Sequence, residues 1–291
     1  MINHLIVVGV GLIGGSFALD LKHQGLVARV TGIGRSRSNL ETALKLGIID
    51  DIGADLASTV ASADLVLLAA PVGAMPALFV ELAQVLPANC IVTDVGSTKR
   101  DVIAAARLGL GERIAQFVPA HPIAGAETNG AVAARRGLYA GKPLILTPLA
   151  ENRSADVESV EQLWRACGAR VVRMETDLHD RVFAAVSHLP HLLAYALMDE
   201  LASRPLADIY FRYAGAGLRD ATRIAGSHPE MWRDITLANR DALLDELDAL
   251  SEKLASMRAL IAANDGAALE QLFTRARSAR ANWLQGKYNN D

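Results

Sequence analysis

His121 is the side chain in this sequence best suited to proton transfer. It lies in the segment Pro119-Ala120-His121-Pro122, where a proline on each side restricts the backbone. Within residues 119–127 it is the only side chain that titrates near neutrality, so it is a candidate general base or acid. A structural role, in which the ring satisfies a backbone group, is the alternative.

A second polar segment, residues 93–99, is predicted to follow a buried strand and reads Thr-Asp-Val-Gly-Ser-Thr-Lys. Gly96 permits a tight turn there, and Ser97 is placed to cap a helix that begins at Lys99. Ligands of open α/β sheets bind beyond the carboxyl ends of the strands. Ser97 is therefore either a helix cap or a residue of the active site.

Two further clusters lie in the second half of the chain. His188 and His191 are three residues apart on one helical face, and Pro190 between them is predicted to kink the helix. This spacing resembles half of a metal site, but no cysteine or acidic ligand pair accompanies it, so we predict no metal. Asp220 and Arg223 also share a face, either as a surface salt bridge or with Arg223 binding a substrate carboxylate.

An apolar strand is predicted to run directly into the motif Gly9-x-Gly11-x-x-Gly14. Gly9 allows a tight turn, Gly11 lets the backbone approach a pyrophosphate, and Gly14 lets the next helix pack closely on the strand. The free N–H groups at the start of that helix, which includes Leu12 and Ile13, face the phosphates. The motif predicts a dinucleotide-binding site.

The second predicted strand ends at Gly34 and is followed by the basic turn Arg35-Ser36-Arg37. At this position a carboxylate binds the ribose 2′-hydroxyl of NAD, and the turn has none. Guanidinium and hydroxyl groups suit a 2′-phosphate instead, because arginine binds phosphate in a bidentate manner. The turn therefore favours NADP over NAD, and a solvated basic turn is the alternative.

The elements that position these residues change character near Met174. Before it, apolar strands alternate with helices, as a mostly parallel α/β sheet requires, and Ala70, Pro71 and Val72 at one strand end are expected to flank the cofactor. After it come long amphipathic helices, notably 235–263 and 267–283. We predict a dinucleotide-binding domain at 1–174 and a helical substrate and dimerisation domain at 175–291. The predicted strands are 5–10, 30–34, 65–69, 90–95, 117–119, 144–147 and 170–174.

The composition excludes several classes of protein. Half of the 291 residues are hydrophobic, yet no uninterrupted apolar stretch reaches the ~20 residues that span a membrane. The chain enters its first strand at once, leaving no room for a signal peptide, and a net charge of −3 offers no nucleic-acid footprint. Cys90 and Cys167 are expected to be buried thiols. We expect a cytoplasmic enzyme with a small-molecule substrate.

Five motifs occur in order along nearly the whole chain: GVGLIGGS, DVGSTK, HPIAGAE, HDRVFAAVSHLPH and GLRDATRIAGSHPEMWRDI. Together they resemble the prephenate and arogenate dehydrogenase family, which performs the last oxidative step toward tyrosine. The resemblance implies an α/β Rossmann domain followed by an all-helical domain that interlocks two subunits as a homodimer. It also implies an active site in the cleft between the domains.

The resemblance assigns roles to individual residues. Catalysis falls to His121, which contacts the ring hydroxyl of the substrate, and to Ser97, which we expect to fix the His121 tautomer through its other ring nitrogen. Loss of the ring carboxylate makes the product aromatic, so no metal is needed. The implied substrate-binding residues are Glu127 at the entrance, His191 and Arg223 on the substrate, and His188 and Asp220 in support.

Two other functions fit parts of the sequence. NADP-dependent β-hydroxyacid and imine-type oxidoreductases share the two-domain plan, but they commonly place a catalytic lysine where this chain has His188 and His191. A nucleotide-sensing protein without catalysis is the second, since fold alone does not establish activity. The set of His121, Ser97 and Arg223 argues against it. The sequence does not choose between prephenate and arogenate.

Overall fold

The first half of the chain forms an open, wholly parallel sheet of six strands. The computed structural model describes residues 1–125 and 128–287. The strands lie side by side in the order β3-β2-β1-β4-β5-β6. They are β1 (Ile2–Val8), β2 (Val27–Ile33), β3 (Asp51–Ile52), β4 (Leu65–Leu68), β5 (Ile91–Asp94) and β6 (Phe117–Val118).

The sheet is buried on both faces. Along β1, Leu5 and Val7 belong to one apolar cluster and Ile6 and Val8 to the other, because successive side chains of a strand point to opposite faces. This is the expected state of a parallel sheet with helical crossovers, and it confirms the predicted Rossmann architecture. The helices of this half are α1 (Leu12–His23), α2 (Arg37–Lys45), α3 (Leu56–Val60), α4 (Met75–Val85), α5 (Arg100–Leu110) and α6 (Ser154–Ala166).

A second, three-stranded sheet carries His121. Its strands are β7 (Ala120–Pro122), β8 (Pro143–Leu146) and β9 (Arg170–Arg173), with β7 antiparallel to β8 and β8 parallel to β9. Neither β7 nor β3 is among the predicted strands: β7 has three residues, one of them a proline, and β3 has two. Pro122 is tolerated because β7 is an edge strand, where a missing N–H breaks no ladder on the open side.

The second half is helical, as predicted. Between its first two helices the chain makes one π-helical turn, Ala184–His188, just before Pro190. The kink predicted at Pro190 takes the form of this π-helical turn. The proline nitrogen has no proton and cannot continue the regular α-helical hydrogen bonds. The helices are α7 (Thr176–Phe183), α8 (Leu189–Ala202), α9 (Ala207–Arg212), α10 (Ala216–Thr222), α11 (Pro229–Ala238), α12 (Arg240–Ala262) and α13 (Gly266–Leu284).

The single long helix predicted over 235–263 is wrong. It is broken at Asn239, whose backbone (φ −109°, ψ 33°) ends α11 before α12 begins. The Asn239 side chain is buried and donates to the carbonyl oxygen of Asp180 at 2.7 Å. A buried amide with partners outside its own helix favours the break, which the apolar periodicity of the sequence does not show.

The chain divides into two compact units, Met1–Leu243 and Leu244–Asp291. All the described candidate site residues lie in the first. In the described part of the chain, one helical stretch, Thr176–Ala202, is long and apolar enough to cross a membrane by length and composition. Only 22% of its apolar window is buried, and its buried side chains include the polar His179, Asp180 and His188.

Candidate active site

The turn between β1 and α1 has the shape that a pyrophosphate requires. Gly9 has a φ of 99°, and a Cβ there would lie 2.3 Å from the carbonyl oxygen of Ala69. A Cβ on Gly14 would lie 2.5 Å from the carbonyl oxygen of Gly9, so only glycine lets the helix approach so closely. At Gly11, by contrast, a Cβ would meet nothing within 4 Å, which leaves the backbone open to a ligand. These residues fit a dinucleotide.

The other two predicted cofactor segments follow strands adjacent to β1. Arg35 lies after β2 and Ala70 after β4, and β2 and β4 are the two neighbours of β1 in the sheet. Their carboxyl ends therefore meet at one edge, where α1 begins without a side-chain cap on its N–H groups. The three segments that the structure brings together comprise Gly9, Gly11, Leu12, Ile13 and Gly14, then Arg35, Ser36 and Arg37, and finally Ala70, Pro71 and Val72.

His121 begins a chain of three buried polar side chains. Its Nδ1 lies 2.9 Å from Nε2 of His179, and Nδ1 of His179 lies 2.7 Å from Oδ1 of Asp180. Asp180 in turn accepts the backbone N–H groups of Lys99 (2.8 Å) and Arg100 (2.9 Å), at the start of α5. The Nε2 atom of His121 makes no hydrogen bond to the described residues.

The surroundings keep these histidines neutral. Burial, reinforced by the neighbouring His179, Lys99 and His188, holds the pKa of His121 well below its ordinary value. Burial also lowers the pKa of His179, although the hydrogen bond to Asp180 opposes it. For Asp180, burial is outweighed by the hydrogen bonds it accepts, and its pKa is lowered. The chain therefore places a neutral imidazole, a suitable general base, at the site.

A fully buried ion pair supports the strand that bears His121. Lys99 Nζ lies 2.6 Å from Oδ2 of Asp94, and neither side chain is exposed. The same Asp94 accepts the N–H of Gly96 through Oδ2 and the N–H of Ala120 through Oδ1. Since Ala120 directly precedes His121, this carboxylate ties the end of β5 to β7.

Ser97 has neither of the hydrogen bonds expected of it. No side-chain hydrogen bond caps α5 from its own residues, and the carboxylate of Asp180 binds the first N–H groups instead. The ring nitrogen of His121 that Ser97 was expected to bind is occupied by His179. Ser97 was expected to cap α5 or to bind the His121 ring, and both expectations are wrong. Two residues of α7 take these places: Asp180 binds the first N–H groups of α5, and His179 binds the His121 ring. Ser97 is half-buried just after β5 and its backbone lies against His188, so it still borders the site.

His188 is buried where the helical half meets the sheet. Its Nδ1 lies 3.1 Å from the Asn239 amide nitrogen, and its Nε2 has no partner among the described residues. Burial lowers the pKa of His188 to about 4, with Asp180 acting in the opposite direction. The fold therefore favours the neutral imidazole of His188.

His191 lies flat against Trp232. The two rings are 3.5 Å apart between centroids and tilted by only 19°, and Nδ1 of His191 lies 2.9 Å from the carbonyl oxygen of Ser187. Burial lowers the pKa of His191, and the nearby positive charge of Arg223 lowers it further. The structure therefore brings Arg223 and His191 together. Asp220 is exposed on α10, and Glu127 lies outside the described residues.

Several residues of this site were missed from the sequence. The sequence motifs contain His179 and Asp180 but do not indicate a function for them, and they indicate only a turn at Asp94 and Lys99. The available signal was the adjacent pair His179-Asp180, which stands just before the apolar run 182–186. Trp232, which packs against both His188 and His191, had no signal beyond its place in the last motif.

Two family models match the chain in sequence. One, described as the nucleotide-binding domain of prephenate dehydrogenase, matches residues 17–173, and the other, its dimerization domain, matches residues 175–275. The chain belongs to the prephenate dehydrogenase family. This membership agrees with the resemblance that the five motifs carry.

Individual relatives match over almost the entire chain. A prephenate dehydrogenase of Bacillus subtilis is 37% identical over 96% of this chain and 76% of its own length. A cyclohexadienyl dehydrogenase of Zymomonas mobilis is 36% identical over 96% of this chain and 95% of its own. The crystal structure of prephenate dehydrogenase from A. aeolicus with hydroxyphenyl propionate and NAD+ is 35% identical, has a TM-score of 0.90 and covers 97% of this chain and 98% of its own.

Proposed function

We propose that this chain oxidises and decarboxylates prephenate, arogenate or both, passing a hydride to a nicotinamide cofactor. The observation that carries the proposal is the neutral, buried His121, whose Nε2 makes no hydrogen bond to the described residues and which follows β6, a strand of the same parallel sheet as the nucleotide-binding turns. Membership in the prephenate dehydrogenase family supports this reaction over a reductase of the β-hydroxyacid or imine type.

The reaction divides into an oxidation and a loss of carbon dioxide. The substrate is a cyclohexadienol with a carboxylate on the ring carbon para to the carbinol. The nicotinamide supplies a hydride acceptor when bound, and His121 Nε2 takes the hydroxyl proton. The ring carboxylate then leaves as carbon dioxide, and its bonding electrons make the ring aromatic and the oxygen anionic. His121 returns its proton to that oxygen, which restores the neutral imidazole.

We assign binding of a substrate carboxylate to Arg223, with His191 beside it. Arg223 lies close enough to His191 to affect its pKa, and the stack on Trp232 holds the His191 ring in place. A guanidinium group pairs strongly with a carboxylate in a partly desolvated cleft, because each charge-assisted hydrogen bond is stronger than a neutral one. Ser97, His188, Asp220 and Glu127 remain proposed members of the site.

We assign NADP as the preferred cofactor. Arg35 is exposed after β2 and forms no ion pair with the described residues, so its guanidinium is available for a 2′-phosphate. Arg37 pairs with Glu41 at 3.1 Å, and Ser36 accepts the N–H of Asn39 as the cap of α2. Arg35 is accordingly the main determinant of the preference. The structure of the A. aeolicus relative contains NAD+, whereas we assign NADP to this chain.

The expected assembly is a homodimer through the helical half, since the second family model describes a dimerization domain. The domain limits 1–174 and 175–291 and a cytoplasmic location stay predictions.

A four-way assay tests the function. Reduced nicotinamide is followed spectrophotometrically with prephenate and with arogenate, each against NADP and NAD. We expect turnover with at least one substrate and a higher kcat/KM with NADP. A folded protein that binds NADP but turns over neither substrate would contradict the proposal and favour the β-hydroxyacid or imine-type reductase alternative.

A further inference from the structure

The contacts of Asp180 determine where the protons lie in the chain of buried groups that ends at His121. Both carboxylate oxygens accept backbone N–H groups at the start of α5, and Oδ1 also lies 2.7 Å from Nδ1 of His179. A carboxylate in this position has no proton to give. Nδ1 of His179 must therefore be the donor, which makes Oδ1 the acceptor of two hydrogen bonds.

The same reasoning extends to the next ring. A neutral imidazole carries one proton, so His179 with a proton on Nδ1 has a bare Nε2. That bare nitrogen lies 2.9 Å from Nδ1 of His121 and can only accept. His121 must then carry its own proton on Nδ1, and its Nε2 is left as a lone-pair acceptor.

On the basis of the proposed function, we propose that His179 and Asp180 are positioning residues that hold His121 in the tautomer whose Nε2 accepts the substrate hydroxyl proton. In the reaction the proton moves from the hydroxyl to Nε2, while the Nδ1 proton stays shared with His179. The proton on Nε2 later returns to the product oxygen. The imidazolium formed in between donates to a neutral His179, which is the partner it needs.

The opposite arrangement requires a charged His179. A proton on its Nε2 would be donated to His121, whose own proton would then occupy Nε2 and block the base. Among the described residues, the charged and titratable groups around the two rings are Lys99, Asp94, His188 and Asp180. Lys99 is buried beside the rings and opposes a further positive charge, so it favours the productive arrangement.

Nitrogen NMR of the wild-type chain labelled with ¹⁵N-histidine tests the arrangement directly. Bare and protonated imidazole nitrogens resonate far apart, and the chain has only seven histidines. Loss of signals in His121→Asn assigns that ring. We expect a protonated Nδ1 and a bare Nε2 on His121, with the same tautomer on His179. A His121 ring protonated on Nε2 would overturn the proposal, whether or not the enzyme turns over either substrate.

Two variants of His179 test its consequence for catalysis. In His179→Phe the ring still packs beside Phe183, but it offers no acceptor, so we expect kcat to fall about 10²-fold or more with KM nearly unchanged. In His179→Gln an amide oxygen can accept from His121, so at least a tenfold recovery in kcat over His179→Phe is expected. Equal kcat in both variants, or wild-type kcat in His179→Phe, would contradict the proposal.

His4 supplies a matched control. It is another buried histidine, bonded to Ser62 (3.0 Å) and Thr31 (2.8 Å) in the β1–β2 region. His4→Gln is expected to lower stability while leaving kcat and the His121 nitrogen shifts unchanged. If wild type is inactive with both substrates, the proposed function fails, while the NMR result still decides the tautomer.

Discussion

The ammonium group of Lys99 lies 2.6 Å from the carboxylate of Asp94, and both side chains are completely buried. The carboxylate also accepts two backbone N–H groups, one of them from Ala120, the residue before His121. The pair thus lies between the sheet edge and the proposed base. A buried ion pair adds little net stability when intact, but removing one partner leaves an uncompensated charge.

Lys99→Met is therefore expected to lower the free energy of unfolding by about 3–5 kcal/mol, because Asp94 would remain buried without its counter-ion. Urea unfolding followed by circular dichroism measures the loss. Lys45→Met, at an exposed lysine of α2, is the control and is expected to change stability by less than about 0.5 kcal/mol. Equal losses of stability in the two variants would show that Lys99 does not compensate a buried charge on Asp94.

His121→Asn should reduce kcat about 10²- to 10⁴-fold, since an amide cannot act as a general base. Cofactor affinity, measured by fluorescence titration, should change little, because the nucleotide-binding turns belong to other strands. His23→Asn, at an exposed histidine, controls for the loss of an imidazole elsewhere. Near-normal turnover in His121→Asn would remove this residue from the mechanism.

Arg223→Ala should raise the substrate KM about ten- to a hundredfold, with a smaller effect on kcat, because a charged hydrogen-bond partner of the substrate is lost. Steady-state kinetics at saturating cofactor separates the two parameters. Arg219→Ala removes the same charge one turn earlier on exposed α10 and should leave KM unchanged. A loss of stability with an unaltered KM would mean that Arg223 is structural.

Arg35→Asp should shift cofactor preference toward NAD, since the new carboxylate repels a 2′-phosphate and can bind the ribose hydroxyl. The ratio of kcat/KM for NADP to that for NAD is the measurement. Lys45→Asp makes the same change of charge on the far end of α2 and should leave the ratio alone. An unchanged ratio in Arg35→Asp would count against the assigned NADP site.

Acid should destabilise the fold through its buried histidines. The pKa of His188 is about 4 in the folded chain, against an ordinary value of 6.5. Between pH 6.5 and 4, His188 is therefore mostly protonated in the unfolded chain and mostly neutral in the folded chain. Stability therefore falls as the pH drops from 6.5 toward 4. At about pH 5.5, His188 alone lowers the free energy of unfolding by about 1.4 kcal/mol.

His188→Gln removes that cost. Between about pH 7.5 and 5.5, its free energy of unfolding should fall by about 1.4 kcal/mol less than that of wild type. His121 and His179 contribute acid sensitivity to both proteins, so the comparison isolates His188. Identical acid losses in the variant and wild type would show that His188 is not held neutral by the fold.

Much of the fold followed from short-range patterns. The motif from Gly9 to Gly14 after an apolar strand indicated both the turn and its ligand, because backbone strain and close approach leave only glycine at those positions. Alternation of strands and helices up to Met174 indicated the sheet. The short strands β3 and β7 were not predicted, although the two-residue strand β6 lies within the predicted segment 117–119. The break at Asn239 is caused by partners far away in sequence.

The residue types and their spacing were enough to show which chemistry is available: a dinucleotide turn, His121 between two prolines and an arginine suited to a carboxylate. The hydrogen-bond partners of His121 depend on the folded structure. Ser97 is 24 residues from His121 in the chain and was the expected neighbour of its ring, yet His179, 58 residues away, occupies that nitrogen. A motif records which residue types are present, but a hydrogen bond depends on which helix packs over the strand. That packing depends on the apolar contacts of the whole core, so no single segment of the sequence predicts it.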